Sequence, residues 1–238
     1  MLSGQKAVVI GGSSGIGLAT AKAFLAAGAQ VSFTGRDKAR IEAASASLGK
    51  GAHGHAVDGK DGEAMRAFFA GLGAFRHLVL ALGGGSAIGP FLELDEAKMR
   101  AGFDNKFWPF LAALRAALPH IERGGSVTFV SGAAGRRAFK GMSGLAAVNG
   151  ALQAMIGPLA LELAPIRVNA VSPGLIATPY WDRLPEQARQ AMFESSASSV
   201  PAGRVGTGED IASAILFLAQ NSFMTGALID CDGGARLV

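Results

Sequence analysis

Short apolar runs recur along this chain, and between them lie stretches whose apolar residues return with a helical period. KAVVI, QVSF, HLVLAL, SVTFVS, IRVNAV and ALIDC read as buried strands, with a weaker one at GAHGHAV. GLATAKAFLAAG, KARIEAASASL, EAMRAFFAGL, FLAALRAALPHI and GALQAMIGPLALEL read as amphipathic helices. A strand that is apolar along its whole length must be covered on both faces, and β–α alternation makes successive strands parallel. The expectation is an α/β fold, a doubly wound parallel sheet with helices on both faces. No linker, repeat or low-complexity stretch divides the 238 residues, which suit a single domain spanning 1–238. The one long irregular region runs from Pro173 to Gly206 and is rich in Ser, Pro, Ala and charge. A loop of that length in a compact domain is usually functional, so a substrate lid is expected over roughly 175–206.

Composition narrows the class further. The net charge of +4 is spread along the chain, and no basic stripe with interleaved aromatics suggests nucleic acid. Cys231 stands alone, so no internal disulfide can form and a reducing, cytoplasmic setting is expected. The opening MLSGQKAVVIGG does not resemble a secretory signal, and no uninterrupted apolar run reaches the roughly 18 residues of a membrane span. His53, His55 and His120 have no ligand spacing with carboxylates, so no metal site is expected.

The first strand runs directly into GGSSGIG, Gly11 to Gly17, and then into a helix. Glycines there let the backbone turn tightly and approach a pyrophosphate, while the helix N-terminus offers free N–H groups to the anion. The expected contacts are Gly11, Ser13, Ser14, Gly15, Ile16 and Gly17, in a Rossmann-type site. The second strand ends in VSFTGRDK, with Gly35 and Arg36 where an NAD site would carry a ribose-binding carboxylate. A guanidinium can grip a 2′-phosphate, so Arg36 points to NADP(H); a solvated Arg opening a helix is the alternative. Asp58, just past the third strand, is placed to accept a bond from an adenine amino group, or is a plain surface carboxylate.

Together these features resemble the short-chain dehydrogenase/reductase family over essentially the whole chain. The resemblance covers Gly11, Gly15, Gly17, Arg36, Asp58 and Gly83, and the nicotinamide-side loop in RVNAVSPGLIAT, with Pro173, Gly174, Ile176 and Thr178 in register. The ending PAGRVGTGEDIASAILFLAQNSFMTGALIDCDGG is also of this type. Ile10 stands where a Thr is usual, and LALG (Leu80 to Gly83) replaces the usual Asn-Asn-Ala-Gly. The resemblance further implies a homodimer or homotetramer and a small-molecule carbonyl or alcohol substrate.

The active-site segment departs much further from the family. FVSGAAGRRAFKGMSGLAAVNGAL, Phe129 to Leu152, contains no Tyr, His, Cys, Asp or Glu. The family uses an Asn, a Ser, a Tyr and a Lys; ungapped placement puts Gly132 at the Ser position, Leu145 at the Tyr and Asn149 at the Lys, whereas a one-residue shift gives Ser131, Gly144 and Val148, and neither register restores the Tyr-Lys pair. In FDNKFWPFLAALRAALP the Asn position falls on Lys106, with Asn105 beside it. Lys and Asn have in effect changed places. Asn149 can still hydrogen-bond the nicotinamide ribose, and Lys106 can restore the missing charge, stabilise an alkoxide or donate a proton; a purely structural Lys is the alternative. Ser131 is a candidate hydroxyl partner. Arg136, Arg137 and Lys140 could select an anionic substrate or form a solvated loop, and Tyr180 reads better as a lid hinge than as an acid. Two functions are therefore open: an NADP(H)-dependent oxidoreductase with a non-standard proton donor, or a catalytically weak or inactive NADP(H)-binding sensor.

Overall fold

The computed structural model describes residues 1–83 and 86–238. Among these, seven strands form one sheet: β1 (Lys6–Ile10), β2 (Gln30–Gly35), β3 (Ala52–Ala56), β4 (Phe75–Leu80), β5 (Ile121–Val130), β6 (Arg167–Pro173) and β7 (Leu228–Cys231). Their order is β3-β2-β1-β4-β5-β6-β7 and every neighbouring pair is parallel. The strand order reverses between β1 and β4, and in such sheets ligands bind outside the carboxyl ends of the strands at that switch point. The doubly wound Rossmann architecture expected from the β–α alternation is the one observed.

Alternation along the strands sends side chains to two separate cores. Val8 and Ile10 face one side, where they pack with Phe69, Phe110, Phe129 and Leu152. Ala7 and Val9 face the other, with Phe24, Phe33, Ile211 and Ile215. Helices α1 (Gly15–Ala26), α2 (Lys38–Leu48) and α9 (Gly208–Gln220) supply the second layer. Helices α3 (Gly62–Leu72), α5 (Trp108–Ala117), α6 (Ser143–Ala154) and α7 (Ile156–Glu162) supply the first. The nearly continuous run Ser143–Glu162 is 20 residues long with mean hydropathy 1.4, long and apolar enough to cross a membrane. Here it lies on the sheet, with Val148, Leu152, Ile156 and Ala160 buried.

One expectation is corrected. The region from Pro173 to Gly206 is largely helical: a 3₁₀ turn at Pro179–Arg183 leads into α8 (Glu186–Ser199). No residue of α8 is fully buried, so the apolar periodicity that reveals a helix in sequence is weak there. The segment is tied back where Ile176 bridges to Gly206, and Trp181 Nε1 donates to the Ile176 carbonyl at 2.9 Å.

Candidate functional site

The loop from β1 to α1 has the shape of a pyrophosphate cradle. Gly11 and Gly15 have φ of +87° and +53°, the left-handed region that glycine tolerates. A Cβ at Gly17 would lie 2.1 Å from the Gly11 carbonyl oxygen, so only glycine permits this close turn. Ser14 caps α1 without spending its side chain on the helix, which leaves the first-turn N–H groups directed at the open end. Thr178 sits against the same loop, 3.3 Å from where a Gly15 Cβ would be. Residues distant in sequence, on the loops after β1 and β6, thus meet at one point. Ser13 and Ile16 lie in this loop, Pro173 is buried at the end of β6, Gly174 packs on the Asp232 backbone, and Ile176 is in the core.

Gly35 ends β2 directly beneath Ser13: a Cβ there would come within 2.6 Å of Ser13 Oγ. Arg36 follows, exposed, with Asp37 turning away to cap α2 through the Arg40 N–H at 3.1 Å. Asp58 is exposed after β3; one carboxylate oxygen accepts the Lys60 N–H at 3.0 Å. Gly83 is exposed beyond β4, with open space on its side-chain side. These groups follow the carboxyl ends of β2, β3 and β4, on the same edge of the sheet as the glycine turn.

The chemistry-bearing part begins with a backbone irregularity. Between α4 (Glu96–Gly102) and α5 the residues Phe103–Phe107 form a π-helical turn, in which the Trp108 N–H reaches the Phe103 carbonyl. Pro109 explains it. A proline has no N–H for the carbonyl four residues back, that of Asn105, and its ring crowds that carbonyl. The opened turn points Asn105 and Lys106 different ways. Lys106 is only 7 % exposed, and its Nζ donates to the Ser131 carbonyl and to Asn149 Oδ1, both at 2.8 Å. Among the described residues no carboxylate pairs with it, and burial pushes its pKa down to about 8. An ammonium has three N–H donors, so one remains for another oxygen. Lys106 and Asn149, 43 residues apart in sequence, are therefore in direct contact.

The residues around this contact are packed and hydrogen-bonded together. A Cβ at Gly132 would lie 2.9 Å from Asn149 Nδ2, so a Ser there would require the Asn149 amide to shift. Ser131 lies at the centre: its carbonyl takes the Lys106 bond and its hydroxyl approaches the Asn149 carbonyl at 3.4 Å. Gln153, one turn beyond Asn149 on α6, donates to Ser131 Oγ at 2.9 Å and to the Gly132 carbonyl at 3.0 Å. Sequence reasoning missed Gln153; its i+4 spacing from Asn149 was the available signal. Leu145, the residue that the ungapped register sets at the Tyr position, is half-buried. Its N–H donates to the Ala87 carbonyl at 3.1 Å. Ala87 has φ of +62°, rare for a residue with a Cβ, and glycines at 102 and 144 make room for it.

The remaining candidates fall outside this cluster. Arg136 pairs with Asp230 at 3.6 Å, and Arg137 stacks on Phe139 at 4.4 Å. Tyr180 lies under the Arg183 guanidinium and edge-on to Trp181, with its hydroxyl buried and unpartnered among the described residues. Among the described residues no cluster of His, Cys, Asp and Glu is arranged to hold a metal.

A family model described as enoyl-(acyl carrier protein) reductase matches residues 10–236. A short-chain dehydrogenase/reductase of Stachybotrys chlorohalonatus is 34 % identical over 99 % of this chain and 98 % of its own. Among solved structures, a small-chain dehydrogenase in complex with NADPH is 35 % identical, covers 98 % of this chain and 99 % of its own, and superposes with a TM-score of 0.86. An NADPH-bound short-chain oxidoreductase of Pseudomonas aeruginosa PAO1, described as containing an atypical catalytic centre, is 31 % identical with a TM-score of 0.89, covering 98 % of this chain and 97 % of its own. The parallel sheet, the glycine cradle and these matches along the whole chain make it a member of the short-chain dehydrogenase/reductase family of oxidoreductases.

Proposed function

We propose that this chain is an NADP(H)-dependent oxidoreductase for a small carbonyl or alcohol, in which Lys106 takes over the proton-donating role that a Tyr has in the family pattern. The observation that carries the reading is the bond from Lys106 Nζ to Asn149 Oδ1 at 2.8 Å. It places a buried, unpaired ammonium beside the residue expected to hold the nicotinamide ribose. The turn at Gly11 to Gly17, where added Cβ atoms would collide with Ala81, Phe33 and the Gly11 carbonyl, is the tight glycine turn that suits close approach of a pyrophosphate, and exposed Arg36 suits a 2′-phosphate. A nicotinamide cofactor held by these residues would supply hydride exchange with the substrate carbon. Asn149 orients the ribose hydroxyls through Nδ2, and Asp58 accepts from the adenine amino group. Lys106 offers its third N–H to the substrate oxygen, stabilises an alkoxide there and, with a pKa near 8, passes the proton on at neutral pH. The segment 175–206, hinged at Tyr180 and Trp181, closes over the substrate.

A screen of aldehydes, ketones and activated alkenes that follows NADPH oxidation tests this. Lys106→Met should lower turnover on a substrate so found by about 10²-fold or more, the usual contribution of a general acid. Unchanged turnover would remove Lys106 from the chemistry. One observation favours a binding protein instead: two of the three Lys106 N–H bonds are already satisfied by the protein. Tight NADPH binding with no turnover across the screen would support that reading. Exposed Leu92, Trp108 and Phe223 suit subunit contacts, and sedimentation would establish whether the protein is a dimer or a tetramer.

A further inference from the structure

Asn105 lies next to Lys106 but serves neither Asn149 nor Ser131. Its Oδ1 accepts from Lys60 Nζ at 2.5 Å, and its Nδ2 donates to Ser86 Oγ at 2.6 Å. Lys60 sits two residues past Asp58, on the loop after β3; Ser86 precedes Ala87, on the loop after β4. One amide thus joins three segments: the adenosine-side loop, the loop carrying Ala87 and the π-turn. Pro109 opens the π-turn, and the Asn105 side chain is placed to hold it in one geometry. Pro109 has removed the N–H that would bond the Asn105 carbonyl, and π turns are less favourable than the α-helix they interrupt. The depth of Lys106 depends on this turn, because returning it to α-helical winding would rotate every side chain in it about the axis.

We infer that Asn105 is a positioning residue: by bonding Lys60 and Ser86 it locks the π-turn that delivers Lys106 to Ser131 and Asn149. The inference deepens the proposed function, because it concerns how Lys106 is held, yet it can be tested without turnover. The side chain acts as an amide, with an acceptor toward Lys60 and a donor toward Ser86, and no single-function residue reproduces both. Asp keeps only the acceptor; Leu keeps the size and neither bond. Around Lys106 the described partners are the Ser131 carbonyl, the Asn149 amide and the Phe110 ring at 5.9 Å; Asp104 of the same turn is exposed, and Lys60 is occupied by Asn105. Burial alone accounts for its lowered pKa, so access of water to Lys106 reports directly on the turn.

The test is an NMR titration of the lysine side chains in the full-length protein, with the Lys106 signal assigned by its loss in Lys106→Met. Wild-type Lys106 should titrate near 8. In Asn105→Leu the turn loosens, water reaches Nζ, and its proton affinity should rise about tenfold or more, while the melting curve stays cooperative. Ser86→Ala and Lys60→Met each remove one arm and should give intermediate rises, which keeps the question answerable if Asn105→Leu folds poorly. A Lys106 titration unchanged in all three variants, even with a lowered melting temperature, would overturn the inference and leave Asn105 a structural residue. This outcome is separate from that of the turnover screen: Lys106 can be held by Asn105 whether or not it donates a proton to a substrate.

Discussion

Burying Lys106 has a thermodynamic consequence whose sign and size follow from its surroundings. In the folded chain the ammonium gives up its proton at a pH of about 8, while in the unfolded chain it does so at the ordinary 10.5. Below about 8 both states are protonated and the fold bears the full desolvation penalty of a buried charge. Between 8 and 10.5 the unfolded state holds the extra proton, so stability rises with pH across that window. At about 1.4 kcal/mol for each tenfold change in proton affinity, the gain is roughly 3 kcal/mol, complete above 10.5 and absent below 8. Lys106→Met keeps the bulk of the side chain and removes the titration. At neutral pH its net effect should be small: the relieved desolvation is offset by leaving the Ser131 carbonyl and Asn149 Oδ1 unpaired, at about 1–3 kcal/mol each. The absolute value is therefore uninformative and the slope is not. Urea unfolding of wild type and Lys106→Met over a pH series from neutral to alkaline gives the difference, in which all other lysines and Tyr180 cancel. That difference should move in favour of wild type by roughly 3 kcal/mol as pH rises through the window. A flat difference would mean that Lys106 is solvated, and the account of its chemistry would lose its basis.

Other outcomes are as specific. Gly132→Ser restores the residue of the family pattern yet should lower turnover about tenfold or more, because its Cβ would press on Asn149 Nδ2 and displace the partner of Lys106; steady-state kinetics on any substrate from the screen checks this. Arg36→Ala should weaken NADPH binding by about 10–100-fold and leave NADH binding nearly unchanged, the worth of a charge-assisted phosphate contact; fluorescence titration with both cofactors decides it. His77 is buried between Gln5 and Ser126, and its pKa is pushed down to about 4, chiefly by burial and further by Arg167 and Arg76. The unfolded state therefore takes up a proton first as pH falls from 6.5 toward 4, and stability should drop by roughly 3 kcal/mol over that interval. Acid-range unfolding should show this drop in wild type and not in His77→Gln.

The sheet and the cofactor cradle were legible in the sequence because buried parallel strands are apolar throughout and glycines are demanded by sterics. KAVVI reads as a buried strand, and GGSSGIG, which alone could be a plain turn, takes its meaning from following the first strand of a β–α–β unit. Helix α8 was not legible: EQARQAMFESSASS has no fully buried residue, and its Ser content reads as loop. The exchange of Lys106 and Asn149 could be placed by register, but their contact joins residues 43 apart in sequence and depends on a turn opened by Pro109. That proline, in FDNKFWPF, was a visible helix-breaking signal whose consequence for Lys106 appears only in three dimensions. Gln153, four residues past Asn149, and Asn105, beside Lys106, carry only weak local signals, and their roles appear once their partners on other loops are known.

The account stands most directly on where Lys106 lies relative to the nicotinamide, and a crystal structure of the NADPH complex measures that. It predicts Asn149 Nδ2 on the nicotinamide ribose, Lys106 Nζ still on Asn149 Oδ1, and the third Lys106 N–H facing the open space above the hydride-bearing carbon. A Lys106 walled off from that carbon by protein atoms, with the ribose held by other residues, would contradict it.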